Sequence, residues 1–212
     1  LKLFGKNVIY DVHEDVPKDI LNKDWVGSLF VKRLVGKIAH LIEQFGAFSF
    51  DGIVAATPDI AKKFNYKKTI NVRNLALLQF INITKAANIN KKKPIIIYAG
   101  GLTRIRGIKE IIKAMEFIGD RAELWFLGKW ESEQFEKECI VLEGWKYAKY
   151  IGYIPYGKYY SFIKIANVGL INFLPLPNQQ RAMPNKPFEY MACSLPMIMS
   201  NFSYWKETFG EC

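Results

Sequence analysis

Apolar positions in the second half of the chain fall into short continuous runs, separated by stretches in which apolar residues recur at helical spacing. The runs cover residues 95–99, 124–127, 149–153, 168–173 and 197–200. Helices are predicted around Ile105 to Met115 and at 131–141, 158–166 and 185–193. Strands that are apolar throughout and alternate with helices indicate a parallel sheet covered on both faces. We therefore expect a doubly wound α/β domain.

The first part of the chain follows a similar plan with fewer elements. Strands are predicted at 7–11, 51–57 and 69–73, and a helix from a cap at Thr57 or Asp59 through Phe64. A longer helix carries apolar residues at helical spacing: Leu29, Phe30, Leu34, Ile38, Leu41, Ile42 and Phe45. The polar, lysine-rich stretch 82–93 precedes Pro94 and is typical of a linker. We expect a partial α/β domain at 1–90 and a second domain at 91–212.

The amino-acid composition limits the classes of partner that the protein is expected to bind. The chain has a net charge of +10 and a pI of about 9.4, which suits nucleic acid, an anionic membrane surface or a phosphorylated ligand. The cations are mostly lysines spread along the chain, so a lysine-rich composition without a charged partner is an equal alternative. Because no dense basic stripe occurs, we do not expect nucleic acid as a partner.

The cysteines and the length of the apolar runs indicate the cellular compartment in which the protein is expected. Three scattered cysteines are too few for a disulfide framework and suit a reducing compartment. The sequence contains no signal peptide and no apolar run near the roughly 18 residues that span a bilayer. We expect a cytoplasmic protein, with peripheral contact to a membrane at most. The abrupt first strand and the helix opening at Trp205 predict a chain truncated at both ends.

A glycine-containing segment, Tyr98-Ala-Gly-Gly-Leu-Thr-Arg-Ile-Arg-Gly107, joins a predicted strand to a helix. Glycines let the backbone approach a phosphate, and free amides at the start of a helix attract anions. Arg104 and Arg106 add guanidinium groups that suit a diphosphate. A plain strand-to-helix turn with solvated arginines is the alternative. The segment is neither GxGxxG nor a P-loop.

A second segment, Met183-Pro-Asn-Lys-Pro-Phe-Glu-Tyr-Met-Ala-Cys-Ser-Leu-Pro196, places a carboxylate early on an otherwise apolar helix. Glu189 there could accept hydrogen bonds from both hydroxyls of a ribose. Lys186 could meet a phosphate. The alternative is a structural role, in which Glu189 is favoured by the helix dipole or pairs with Lys186.

A third segment, Val8-Ile-Tyr-Asp-Val-His-Glu14, ends a predicted strand with His13. The carboxyl ends of strands are where α/β sheets place ligand-binding groups. A single histidine in such a position is more often structural than catalytic.

Together these segments resemble family 4 of the retaining glycosyltransferases, which have the GT-B architecture of two Rossmann-like domains. The similarity runs in family order through nearly all of the chain. It is carried by these segments: YDVHED, FDGIVAATPDIAKKF, INVRN, YAGGLTRIRGIKEIIKAM, LWFLGKW, YIGYIPYGKYYSFIKIANVGLINFLP and PNKPFEYMACSLPMIMSNF. The last segment is the most specific, since it resembles the second half of the family's paired-glutamate motif.

The resemblance implies roles for residues of the second domain, which would bind the sugar donor. Gly100 and Gly101 would lie under the donor diphosphate, with Arg104 and Arg106 as the cations that neutralise it. Glu189 would hold the ribose hydroxyls.

The resemblance also implies roles for residues nearer the base and the sugar. The backbone at Tyr153 and Ile154 would meet the base edge, and His13 would face the transferred sugar from the first domain, on the acceptor side. Two departures from the family pattern occur. Arg181 replaces the first glutamate of the pair, which contacts the sugar, and Ser194 replaces the glycine before Leu-Pro.

The leading hypothesis is therefore transfer of a sugar, with retention, from a nucleotide-diphosphate donor to a saccharide or lipid-linked acceptor. The resemblance implies no metal and no other cofactor, and it points to polysaccharide biosynthesis. Two alternatives are a sugar-nucleotide epimerase of GT-B shape and a nucleotide-sugar-binding fragment without turnover. A nicotinamide oxidoreductase is less favoured, because Gly128-Lys129 follows the second strand in place of a ribose-binding acid.

Overall fold

A computed structural model describes residues 1–73, 75–180 and 182–210. The chain divides into two compact units, Leu1–Asn74 and Leu75–Cys212. This division falls before the expected boundary at 90, because the intervening residues pack with the second unit. Ile81 is buried in that unit's core, and the Lys164 ammonium donates to the carbonyl oxygens of Ile81 and Thr84 at 2.6 and 2.8 Å.

The first unit contains a small parallel sheet with β2 in the centre. Its strands are β1 (Ile9–Val12), β2 (Gly52–Ala55) and β3 (Thr69–Asn71). Its α-helices are α1 (Val16–Asp19), α2 (Leu29–Ser49) and α3 (Pro58–Ala61). The Thr57 hydroxyl accepts from the Ile60 amide at 3.3 Å, so Thr57, one of the two predicted caps, caps α3. The helix ends at Ala61 rather than Phe64.

The long predicted helix is present as α2, but most of its larger apolar residues are not buried in the core of the unit. The buried positions of α2 are Gly36 and Ala47. Most of its larger apolar residues are exposed, among them Leu29, Phe30, Leu34, Ile38, Leu41, Ile42, Phe45 and Phe48. None of the helices in the described ranges has the length and apolarity needed to cross a bilayer.

The second unit is built on a five-stranded parallel sheet with the order β6-β5-β4-β7-β8. Its strands are β4 (Ile95–Ala99), β5 (Glu123–Leu127), β6 (Ala148–Gly152), β7 (Val168–Ile171) and β8 (Met197–Met199). Its α-helices are α4 (Leu78–Ile83), α5 (Ile108–Ile118), α6 (Glu133–Ile140), α7 (Tyr160–Ile163), α8 (Pro177–Gln180), α9 (Lys186–Ala192) and α10 (Ser203–Phe209). The strands lie within a few residues of their predicted positions.

Successive residues of the central strands enter different hydrophobic clusters, which shows that both faces of this sheet are covered. Ile97 and Trp125 belong to one cluster, whereas Tyr98 and Phe126 belong to the other. Apolar residues on both faces explain why these strands are continuous apolar runs in the sequence. The predicted doubly wound α/β domain is confirmed.

Candidate functional site

The sheet of the second unit changes its direction of growth at β4, with β5 and β6 on one side and β7 and β8 on the other. In open α/β sheets, ligands bind outside the carboxyl ends of the strands at such a point. A cleft of about 330 Å³ lies there. It is lined by Ala99, Gly100, Gly101, Leu127, Gly128, Lys129, Tyr153, Ile154, Tyr156, Tyr159 and Lys186.

The floor of the cleft is bare backbone. The amide of Gly100 donates to the carbonyl oxygen of Leu127 at 2.8 Å, and the amide of Gly128 donates to that of Gly152 at 2.9 Å. A Cβ atom at position 128 would lie 1.8 Å from the Gly100 carbonyl oxygen, so only glycine fits there. At Gly101 the nearest atom would be 3.6 Å away, an ordinary contact. Such a floor lets a phosphate approach the chain closely.

Glu189 and Lys186 form an ion pair at the start of α9. The Lys186 ammonium donates to Glu189 Oε2 at 2.5 Å, and Glu189 is only 3 % exposed. The structural pair that the sequence offered as an alternative is therefore present. Burial lowers the pKa of Lys186 in spite of Glu189, and Arg106 lowers it further. The ammonium lines the cleft while poorly solvated, an environment that favours an additional anionic partner.

The two arginines of the glycine-containing segment have different surroundings. Arg104 makes a bidentate ion pair with Glu138 of α6, at 2.6 and 2.8 Å, and does not line the cleft. The Arg106 guanidinium lies beside Gly100, where its Nη1 would be 2.9 Å from an added Cβ atom. Of the two predicted phosphate-binding arginines, only Arg106 is close to the cleft floor.

The strand ends add a cation that the sequence analysis had not assigned to the site. Lys129 directly follows the glycine after β5, and its ammonium lies 4.6 Å from the ring centroid of Tyr153. Both side chains line the cleft, together with the predicted Ile154. A lysine directly after a strand-end glycine is the sequence signal for this cation.

Two tyrosines that the sequence analysis did not nominate complete the wall of the cleft. The rings of Tyr156 and Tyr159 have centroids 5.7 Å apart, and the Lys186 ammonium lies 4.3 Å from the centroid of Tyr159. The ring of Tyr159 also packs at a tilt against that of Tyr160, with centroids 4.4 Å apart. The wall therefore combines aromatic rings with a cation, an arrangement stabilised by cation–π attraction.

His13 belongs to the first unit and directly follows β1. Its ring nitrogen Nε2 lies 3.0 Å from Asp11 Oδ2, and both side chains are more than half exposed. The nearby carboxylate can orient the imidazole through a hydrogen bond. The histidine is therefore accessible at a strand end, as the sequence predicted.

Of the two departures from the family pattern, Ser194 and Arg181, only Ser194 lies within the described residues. Ser194 has φ 53°, in the left-handed region that favours glycine, so replacement of the usual glycine introduces backbone strain. Arg181 lies outside the described residues. In the part of the chain that the structure describes, no three His, Cys, Asp or Glu residues are grouped so as to hold a metal ion.

Taken together, the cleft has a backbone floor and two lysines in its lining, Lys129 and Lys186. Behind this lining, Arg106 lies beside Gly100, and the buried carboxylate of Glu189 pairs with Lys186. Ammonium and guanidinium groups bind phosphate oxygens, whereas a carboxylate accepts hydrogen bonds from hydroxyl groups. The arrangement suits a ligand that carries both kinds of group.

A family model described as "Glycosyl transferases group 1" matches residues 79–211, which covers most of the chain. No curated protein sequence matches the chain significantly.

Several solved structures share the fold. Sucrose-phosphate synthase from Thermosynechococcus elongatus is 17 % identical, with a TM-score of 0.65 over 94 % of this chain and 51 % of that one. HepE from Anabaena, in complex with UDP and glucose, is 12 % identical, with a TM-score of 0.69 over 97 % of this chain and 56 % of that one. WaaG, a glycosyltransferase involved in lipopolysaccharide biosynthesis, is 12 % identical, with a TM-score of 0.59 over 77 % and 47 %.

These matches confirm the predicted GT-B type α/β fold with Rossmann-like parallel sheets. The chain spans about half the length of the solved structures that it matches.

Proposed function

The chain belongs to the group 1 glycosyl transferases, and from this membership we propose that its second unit binds the diphosphate and ribose of a nucleotide-sugar donor. The observation that carries the proposal is the cleft at the ends of β4, β5 and β6, where Lys129 and Lys186 flank a glycine floor. Arg106 lies beside Gly100, and Lys186 links the cleft to the buried carboxylate of Glu189. UDP is the first candidate, because HepE was solved in complex with UDP.

In this proposal the diphosphate lies over Gly100 and Gly101. Arg106 and Lys186 neutralise its charge, and Lys129 adds a third cation at the rim. Neutralisation of a leaving diphosphate by fixed cations lowers the energy of the transition state for transfer. Arg104 has no part in this, because Glu138 already satisfies its guanidinium.

Glu189 accepts hydrogen bonds from the ribose hydroxyls in this proposal. Its pair with Lys186 holds the carboxylate in place before the ligand arrives. When a phosphate approaches Lys186, the ammonium gains an anionic partner and Glu189 is freed to accept from the ribose. The ion pair is thus a resting arrangement of the binding site as well as a structural contact.

The finer parts of the function rest on the family resemblance. They comprise transfer of a hexose with retention, independence from metal ions, and a saccharide or lipid-linked acceptor. The base edge would meet the backbone at Tyr153 and Ile154, and His13 would contact the transferred sugar. Polysaccharide biosynthesis at the cytoplasmic face of a membrane, with weak attachment through basic residues, completes the proposal.

The test is titration of UDP, GDP and ADP by calorimetry against three proteins. Arg106→Ala should weaken the best ligand at least about tenfold, since a charge-assisted contact is worth about 1.5–3 kcal/mol. Arg104→Ala is the matched control and should bind like the wild type, because that arginine pairs with Glu138. Equal losses in both variants, or no binding of any nucleotide to the wild type, would contradict the proposal.

Glu189→Gln tests the ribose assignment. Glutamine keeps the shape but loses the charge, so nucleotide affinity should fall by about 1–2 kcal/mol while the fold survives. If Glu189 were only structural, the melting temperature would fall and the affinity of the folded protein would stay unchanged. Incubation of a sugar nucleotide with a saccharide acceptor then separates transfer, epimer formation and binding alone.

A further inference from the structure

Tyr159 carries a buried hydroxyl group that lacks a well-aligned hydrogen-bond partner among the described residues, although Glu189 and Tyr160 lie close to it. The residue is 6 % exposed, yet it lines the cleft. Its hydroxyl oxygen is enclosed and makes no hydrogen bond of acceptable geometry within the described ranges. Buried hydroxyl groups normally have a partner, and one without a partner is unfavourable for folding. A group of this kind at the wall of a ligand cleft therefore has a donor available for a ligand.

The surroundings of Tyr159 fix the position of this hydroxyl. Tyr160 and Tyr156 pack against its ring, and the Lys186 ammonium lies 4.3 Å from its centroid. Burial, and after it the carboxylate of Glu189, raises the pKa of Tyr159. The phenol therefore keeps its proton at physiological pH. The hydroxyl is held close to the carboxylate that the proposed function assigns to ribose.

We propose that Tyr159 is a specificity-determining residue, whose hydroxyl hydrogen-bonds a ribose hydroxyl of the bound nucleoside diphosphate beside Glu189. This inference rests on the proposed function. A ribose hydroxyl that donates to Glu189 keeps acceptor lone pairs, and the Tyr159 hydroxyl can donate to one of them. A deoxyribose that lacks this hydroxyl leaves Tyr159 unsatisfied, as it is in the free protein, so the site prefers ribonucleotides.

The test uses Tyr159→Phe, which removes only the hydroxyl oxygen. Affinity for the preferred ligand among UDP, GDP and ADP should fall about two- to tenfold, the value of one neutral hydrogen bond. Affinity for the 2′-deoxy or the 3′-deoxy analogue, whichever lacks the contacted hydroxyl, should not change. The melting temperature should stay the same or rise, because an unsatisfied buried polar group has been removed.

Tyr190→Phe is the matched control. The Tyr190 hydroxyl is also buried without a partner of good geometry in the described chain, but Tyr190 does not line the cleft. This variant should therefore keep the wild-type affinity for ribonucleotides and for deoxyribonucleotides.

Each outcome separates the inference from the proposed function. If the wild type binds no nucleoside diphosphate, both are wrong. If the wild type binds and Tyr159→Phe binds equally well, only the role of Tyr159 is wrong. An equal loss for the ribose form and both deoxy analogues would move the contact to another part of the ligand and overturn the ribose assignment. A lower melting temperature with unchanged affinity would make the hydroxyl structural.

Discussion

The two units contain helices of similar sequence character that bury their apolar residues very differently. In α5 of the second unit, Ile108, Ile111, Ile112 and Met115 lie in the core. In α2 of the first unit, the corresponding apolar face is largely exposed and the buried positions are small residues. Apolar periodicity therefore predicts a helix in both units, but only the surrounding elements decide whether its apolar face is covered.

Each unit also contains a largely buried lysine, and the two lysines differ in their charged partners. Lys63 in the first unit meets Asp15 at 2.9 Å and Glu43 at 2.8 Å. Burial alone would lower the pKa of Lys63, but hydrogen bonds to Glu43 and Asp15 raise it. Lys186 has one carboxylate partner and a neighbouring arginine, and burial lowers its pKa. Two carboxylates satisfy a lysine, whereas one carboxylate and a second cation leave it able to bind an anion.

The largest expected effect compares the two helices directly. Ile112→Ala should destabilise the protein by about 2–5 kcal/mol, because Ile112 is 0 % exposed and its truncation leaves a cavity. Ile42→Ala makes the same change at a residue that is 67 % exposed, and it should alter stability by less than about 0.5 kcal/mol. Both changes in stability can be measured by urea unfolding, with hydrogen exchange of peptides from each unit as the readout. Similar costs would mean that α2 is covered in solution.

The next effect concerns pH and the two lysines. Because its pKa is lowered, Lys186 loses its proton at a lower pH than an ordinary lysine, so nucleotide affinity should fall as the pH rises from neutrality towards about 10.4. Complete loss of the charge should cost about tenfold or more in affinity. Over the same pH range the contribution of Lys186 to folding stability should rise, because the unfolded chain binds more protons at this lysine than the folded chain does. Lys63, with a raised pKa, keeps its stabilising charge until the pH exceeds about 10.4.

Arginine variants separate these lysine effects from ionisation of the ligand. Lys186→Arg keeps its charge at pH 10 and should flatten the fall in affinity measured by calorimetry. Lys63→Arg should leave the pH dependence of unfolding unchanged below about pH 10. A wild-type fall in affinity that Lys186→Arg reproduces in full would assign the effect to another group.

The smallest expected effect concerns backbone strain. Ser194 in the second unit has φ 53°, in the left-handed region. In the described part of the first unit, the residues with positive φ are both glycines, Gly5 and Gly27. Ser194→Gly should therefore stabilise the protein by about 0.5–1 kcal/mol. Gly27→Ala, at φ 102° with open space around the added Cβ atom, should destabilise it by a similar or larger amount. Thermal melts of the two variants should shift in opposite directions.

The central strands β4 and β5 were predicted well because each is a short run of mainly apolar residues. β4 matches its prediction at 95–99, where Pro94 precedes the run and Gly100 follows it. Helix α4 was missed, because its apolar residues show no clear helical period and adjoin a lysine-rich stretch. Its place in the core of the second unit depends on contacts with distant residues such as Lys164, which no local pattern reveals.

The site was predicted where a motif fixes both backbone and side chain. Gly100, Gly101, Lys186, Tyr153 and Ile154 all line the cleft, and their role in donor binding stays a prediction. Arg104 points elsewhere because it pairs with Glu138, a partner that the sequence places 34 positions away. The direction of Tyr159 depends on how the short helix α7 packs, so its sequence position alone carried no signal.

The close approach of Gly128 to the Gly100 carbonyl oxygen has a consequence for redesign of the cleft. A saturation library at position 128 should yield almost no folded variants other than the parent, since every other residue places a Cβ atom inside a neighbouring carbonyl. Position 101 has room for a side chain, and Tyr153 and Tyr156 are half or more exposed. Any change in ligand range, by selection in the laboratory or in nature, must therefore come from position 101 or from the walls of the cleft, and not from position 128.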